Sequence, residues 1–60
     1  MTCKDSNGTE LSVNDAVMYI DENGGEWEGI ITELLVDNKV KISCETGEFI
    51  VDAVMTFQLP

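Results

Sequence analysis

The cleanest alternation in the chain runs from Lys39 to Cys44, with Val40, Ile42 and Cys44 on one side of an extended strand and Lys39, Lys41 and Ser43 on the other. Upstream, the stretch Val17 to Glu33, VMYIDENGGEWEGIITE, reads as one β-hairpin. Two runs rich in β-branched and aromatic residues, Ala16 to Ile20 and Trp27 to Leu35, flank the turn Asp21-Glu22-Asn23-Gly24-Gly25, whose Asn-Gly-Gly supplies positive-φ positions. Gly29 is a poor strand former unless the chain bends or another backbone comes close, which predicts a bulge or a barrel corner there. Val36 to Asn38 is the next turn. Glu45-Thr46-Gly47 leads to a fourth strand over Glu48 to Val51, Asp52 to Met55 predicts one 3₁₀ turn, and Thr56 to Leu59 closes as the last strand. Before all of these, Thr2 to Leu11 reads as a short hairpin turning at Asp5-Ser6-Asn7-Gly8, and Ser12 to Asp15 links it onward, with Asp15 free to accept backbone N–H bonds. No internal repeat or linker is evident.

Short strands, turn signals every eight to twelve residues and no helical period point to an all-β fold. Sixty residues are too few for a sandwich. The expectation is a single domain over residues 1–60: a hairpin extension at 1–12 and a five-stranded, strongly bent barrel at 13–59. A chain this short buries only about 60% of the surface its unfolded form exposes, so a large enclosed active site is not expected.

Charge changes the picture most. Three lysines, no arginine, no histidine and twelve carboxylates give −9. Phosphate binding needs Lys and Arg, so direct nucleic-acid binding is not expected, and a basic protein surface is the natural complement. The same charge can also serve solubility alone. Cys3 and Cys44 stand apart with no metal-ligand spacing and are expected as free thiols, Cys44 as a small core residue. The opening MTCKDSNGTE has no apolar run, so neither a signal peptide nor a membrane span is expected; the expected location is cytoplasmic, and Asn7-Gly8-Thr9 is expected to be a turn and not a glycan site.

The order Asp15-x-Val17-x-Tyr19, Trp27-x-Gly29-x-Ile31-x-x-Leu34, Val40-x-Ile42, Gly47, Val51-x-x-Val54-Met55 and Phe57-x-Leu59 resembles the SH3-like barrels of the Tudor and KOW type, over about residues 13 to 59. Lys4-Asp5-x-Asn7-Gly8-x-x-Leu11 followed by Asp15-x-Val17 also resembles the start of the SH3-like C-terminal domain of PhnA-type bacterial proteins, here without their zinc ribbon. The resemblance implies a five-stranded barrel with a 3₁₀ turn before the closing strand. Tudor domains often hold methylated lysine or arginine in an aromatic cage, and Tyr19 and Trp27 match two cage positions across the first hairpin. The facing turn Glu45-Thr46-Gly47-Glu48 adds no ring, with only Phe49 beside it. Core packing accounts for Tyr19 and Trp27 as well.

Catalysis has little to work with: there is no histidine to activate Ser, Thr or Cys, and Glu26 and Glu28 would share a solvated rim. As a calcium loop, Asp21 onward has Glu26 at the sixth position and Thr32 at the twelfth, so no metal or other cofactor is expected. What remains is a surface. Asp21, Glu22, Glu26, Glu28 and Glu33 surround the first hairpin, and Glu45, Glu48 and Asp52 come from the fourth-strand region. Spaced carboxylates on a rigid body can imitate duplex phosphates, and outward Met18, Ile20 and Ile30 interleave with them as an interface, or as a homodimer face, would.

The expectation is therefore a non-enzymatic acidic protein-binding module. It would be an accessory protein or inhibitor of the phage or mobile-element kind, docking on a basic, nucleic-acid-handling protein through Tyr19, Asp21, Glu22, Glu26, Trp27, Glu28 and Glu48. The alternatives are a Tudor-like reader of basic or methylated peptides and a structural homo-oligomer.

Overall fold

The computed structural model describes residues 1–60. Seven strands and one 3₁₀ turn follow in order: β1 (Cys3–Lys4), β2 (Glu10–Leu11), β3 (Ala16–Ile20), β4 (Glu26–Leu35), β5 (Lys39–Cys44), β6 (Gly47–Asp52), the 3₁₀ turn (Ala53–Met55) and β7 (Thr56–Gln58). The last five strands form one antiparallel sheet in the order β6-β5-β4-β3-β7, and β1 and β2 pair separately. β6 and β7 do not pair with each other, so the sheet stays open and does not close into the expected barrel.

Alternation sorts the side chains as the sequence suggested. Val17, Ile31, Val40, Ile42 and Val51 project to the inner face and are buried, together with Ala53 of the 3₁₀ turn. The sheet alone cannot cover this core; the N-terminal hairpin completes it with Cys3 and Leu11, while Tyr19 and Leu34 pack against its margin. Cys3, and not the half-buried Cys44, is thus the core cysteine, its thiol directed at the carbonyls of Leu35 and Lys39 at 3.5 and 3.4 Å. Both thiols are free.

The sheet bends at a bulge in β4, where the register with β5 slips between Ile31 and Glu33. It therefore falls at Thr32, three residues beyond Gly29. Gly29 is glycine for the second of the two expected reasons, the close approach of another backbone: a Cβ there would stand 3.0 Å from the Ser43 carbonyl oxygen and 3.4 Å from the Ile42 Cβ. A side chain there would require the neighbouring strand to give by a few tenths of an ångström. Gly29→Ala should cost about 1–3 kcal/mol, read as a lower urea midpoint with an unchanged slope; an unchanged midpoint would show that the strands part freely.

Three devices fasten the hairpin to the sheet. Asn38, in the left-handed region at φ 56, uses its amide to bond both backbone groups of Lys4 (2.8 and 3.1 Å), while its own carbonyl accepts from Ala53. The Ser6 N–H donates to the Thr56 carbonyl at 3.0 Å. The third is Asp5. Its Oδ1 accepts the N–H groups of Asn7 and Thr9, both at 2.9 Å, which shapes the turn around Gly8 (φ 81). Its Oδ2 accepts the N–H of Gln58 in β7 at 2.8 Å, fifty-three residues away. Burial of this 4%-exposed carboxyl pushes its pKa up, but the N–H groups of Gln58, Thr9, Asn7 and Gly8 outweigh that and hold it below the ordinary 3.8. Asp15 behaves as expected, its carboxylate accepting from the Ser12 N–H at 2.8 Å and also from the Gln58 amide.

Candidate functional site

The turn between β3 and β4 is built like the Asp5 turn. The sequence repeats Asp-x-Asn-Gly at residues 5 and 21, a repeat too short to register by composition or periodicity. In the second copy Asp21 Oδ1 accepts from Asn23 and Gly25 at 2.9 and 2.7 Å, the Gly24 N–H donates to the Asp21 carbonyl, and Gly24 takes φ 81. Only Gly24 of Asn23-Gly24-Gly25 is in the left-handed region, so this is a turn closed by a single positive-φ residue.

In both copies Oδ2 is left over for a partner outside the turn. For Asp5 that partner is the backbone of β7; for Asp21 it is the indole Nε1–H of Trp27 at 3.0 Å. The Trp27 hydrogen bond, followed by that from Gly25 and a smaller one from Asn23, lowers the Asp21 pKa below the ordinary 3.8 against a partial desolvation. Asp21 is thereby a fixed, ionised carboxylate at neutral pH, and it locks the orientation of the indole.

Trp27 is set on β4 opposite Tyr19 of β3. Phe49 lies two strands further, on β6 opposite Ile42. All three rings point to the concave side of the sheet and line one pocket of about 310 Å³ with Asp21, Ile42, Cys44, Ile50 and Val51. Tyr19 is half-buried against the core, whereas Trp27 and Phe49 remain 42% and 47% exposed. Three of the four aromatic residues of the chain thus meet at one opening. Phe49 is the member that sequence reasoning placed beside the site without including it. The signal was the register: β5–β6 pairing puts residue 49 on the same face as Ile42, the face of Trp27.

The structure divides the expected site residues. Tyr19, Asp21 and Trp27 come together in the pocket. Glu26 and Glu28 are opposite Ile20 and Met18, on the other face of the sheet, and Glu48 is on that face too, opposite Ser43. Glu22 sits exposed in the turn. Of the outward apolar residues, Ile30 is well exposed, while Met18 and Ile20 are half-buried.

Charge is segregated along the molecule. Lys39 and Lys41 lie toward the β4–β5 turn, paired with Asp52 at 2.6 Å and Glu33 at 3.8 Å, and Lys4 is bonded to Asn38 in that same turn. Asp52 therefore spends its carboxylate on Lys39, whose pKa it raises by hydrogen bond and charge, and does not cap the 3₁₀ turn. The opposite end, around the turns at 21–25 and 45–46, carries Asp21, Glu22, Glu26, Glu28, Glu45 and Glu48 with no lysine among them. The pocket opens at this acidic end.

Among family models, the one described as Domain of unknown function (DUF7205) matches residues 3–57. No curated protein matches the chain.

Proposed function

The chain belongs to the DUF7205 family, a domain of unknown function, and we propose that it is a non-enzymatic acidic binding module whose Tyr19–Trp27–Phe49 pocket receives a basic side chain of a partner protein. One observation carries this reading: three rings and the ionised Asp21 share a single opening at the lysine-free end. A cation over each ring gains roughly 0.5–2 kcal/mol, and the surrounding carboxylates raise its local concentration. Phe49 gives the opening a third ring beside Tyr19 and Trp27, which supports a cage-like reading. Methylated and unmodified lysine or arginine are both admissible occupants. A basic, nucleic-acid-handling partner fits the same charge.

The finer fold reading stays with the SH3-like barrels of the Tudor and KOW type, here as an open variant. Its support is the element order: a strand opened by Asp15, a W-x-G strand, an alternating strand, a fourth strand, a 3₁₀ turn and a short last strand that returns to pair with the first.

Trp27 is the only tryptophan, so its emission reports on the pocket directly. Titration with a lysine-rich peptide should shift that emission, and the affinity should fall steeply with salt. Replacing Glu22, Glu26 and Glu28 together by Gln should weaken binding several-fold with no change in thermal midpoint beyond a few degrees. An unaltered affinity in that triple variant would remove the acidic surface from the reading, and an unresponsive wild-type tryptophan would remove the pocket.

A further inference from the structure

The two edges of the sheet are finished differently. β7 is covered: the hairpin's Ser6 N–H bonds the Thr56 carbonyl, and Asp5 Oδ2 takes the Gln58 N–H. β6 has β5 on one side and no strand on the other. Every second residue of Gly47–Asp52 therefore leaves its N–H and C=O unpaired along a six-residue edge. Natural edge strands are usually blunted by proline, lysine, a bulge or a covering element. β6 carries the charged Glu48 and Asp52 toward its two ends but no proline, lysine, register slip or covering strand. Its centre is Phe49-Ile50-Val51, with Phe49 and Ile50 47% and 59% exposed, and the β5–β6 register runs from Lys39↔Asp52 to Cys44↔Gly47 without a slip.

We infer that the bare edge of β6 is a docking site for an extended basic segment of a partner protein, which adds to the sheet as a sixth strand and seats one inward lysine or arginine in the aromatic pocket. The inference rests on the pocket reading above and specifies how the partner arrives there. Phe49 is both the wall of the pocket and a residue of the edge strand. A strand laid along β6 would run about 5 Å away, and its residue opposite Phe49 would project to the same face, over the pocket mouth. Its alternate residues would lie on the other face, where the register sets Ile50 opposite Lys41 at the margin of the pocket. Main-chain bonds then supply affinity while the pocket selects one side chain in two, as in other cases of strand addition.

Charge chooses the occupant. A second copy of this chain would bring another −9, with its own Glu48 and Asp52, onto the same edge. A segment in which basic residues alternate with small or apolar ones meets both the acidic end and the period of the strand.

The test uses the full chain and an octapeptide of alternating lysine and threonine, in three forms: unmodified, N-methylated at the lysine amides, and N-methylated at the threonine amides. In a strand these two sets of amides point to opposite edges, so each modification blocks one edge only. Trp27 emission gives the affinity, and amide hydrogen exchange reports on β6. One methylated form should lose tenfold or more and the other less than threefold, and alternate β6 amides should gain protection with the unmodified peptide. Equal affinities for all three forms, with Trp27 still responding, would overturn strand addition and leave the pocket reading standing. Equal losses for both methylated forms would also overturn it. No response to the unmodified peptide would overturn both, and a dimer paired through β6 that excludes the peptide would assign the edge to self-association instead.

Discussion

Asp5→Ala is expected to be the most damaging single substitution on the hairpin, lowering stability by about 3 kcal/mol. The side chain is nearly inaccessible and satisfies three backbone donors, those of Asn7, Thr9 and Gln58. Truncation orphans all three, at about 1–3 kcal/mol for each donor that water cannot reach. Because the turn is partly open to solvent, the sum falls short of three full penalties. In a domain of this size about 3 kcal/mol lowers the thermal midpoint by more than 10 °C. The loss extends beyond the turn, since the hairpin delivers Cys3 and Leu11 to the core and covers β7.

The same carboxylate predicts an acid limb. Its folded pKa lies below the ordinary 3.8, so the folded state prefers the ionised form more strongly than the unfolded chain does. That contribution is complete well above pH 3.8 and is lost as pH falls through the lower, folded value. Urea midpoints measured from neutral pH downward should drop in the wild type over that window. Asp5→Ala should show a shallower drop from an already lower start. Parallel curves for the two proteins would mean that Asp5 is not the group responsible.

The second large effect is on binding. Trp27→Ala should reduce affinity for a lysine-rich peptide about tenfold, by removing one ring of the pocket, while costing only about 1 kcal/mol of stability because the indole is 42% exposed. Affinity here must be read by calorimetry, since the variant has no tryptophan. Trp27→Phe separates two contributions: a ring remains, but the indole N–H that Asp21 accepts does not. It should retain part of the affinity. If Trp27→Ala binds as tightly as the wild type, the peptide is held by the acidic surface alone and the pocket is merely a gap between strands.

How far the sequence reached depended on whether the deciding interactions were local. The strands β3 to β6 and their turns are written in period-two alternation and Asx-Gly signals, and each lies within two residues of its expected span. The 3₁₀ turn was likewise announced by its length. Of the two causes the sequence left open for Gly29, a bend or a close backbone, the second is the one found, and the choice was not legible because the approach of Ser43 depends on β5, not on the residues around Gly29. The core cysteine was misassigned for a similar reason. Cys44 alternates with Val40 and Ile42 and so looks internal, but the strand runs out to the pocket before it is covered; Cys3 is buried only because Asn38 and Asp5 fasten the hairpin over the sheet.

The seven candidate contact residues were legible as a set because charge and aromatic content are one-dimensional properties. Their division was not. Facing is fixed by the pleat once the register is known, and register is a tertiary fact: it sends Tyr19, Trp27 and Phe49 to one side and Glu26, Glu28 and Glu48 to the other. The sequence by itself therefore determined an acidic, all-β chain with its strands in order and its charge in excess. Tertiary structure alone decided that two identical Asp-x-Asn-Gly turns would do different work, one sealing an edge and one orienting an indole. The free oxygen of each aspartate bonds whatever the fold brings within reach, and the sheet remains open beside the pocket because β6 and β7 are its two ends and do not pair.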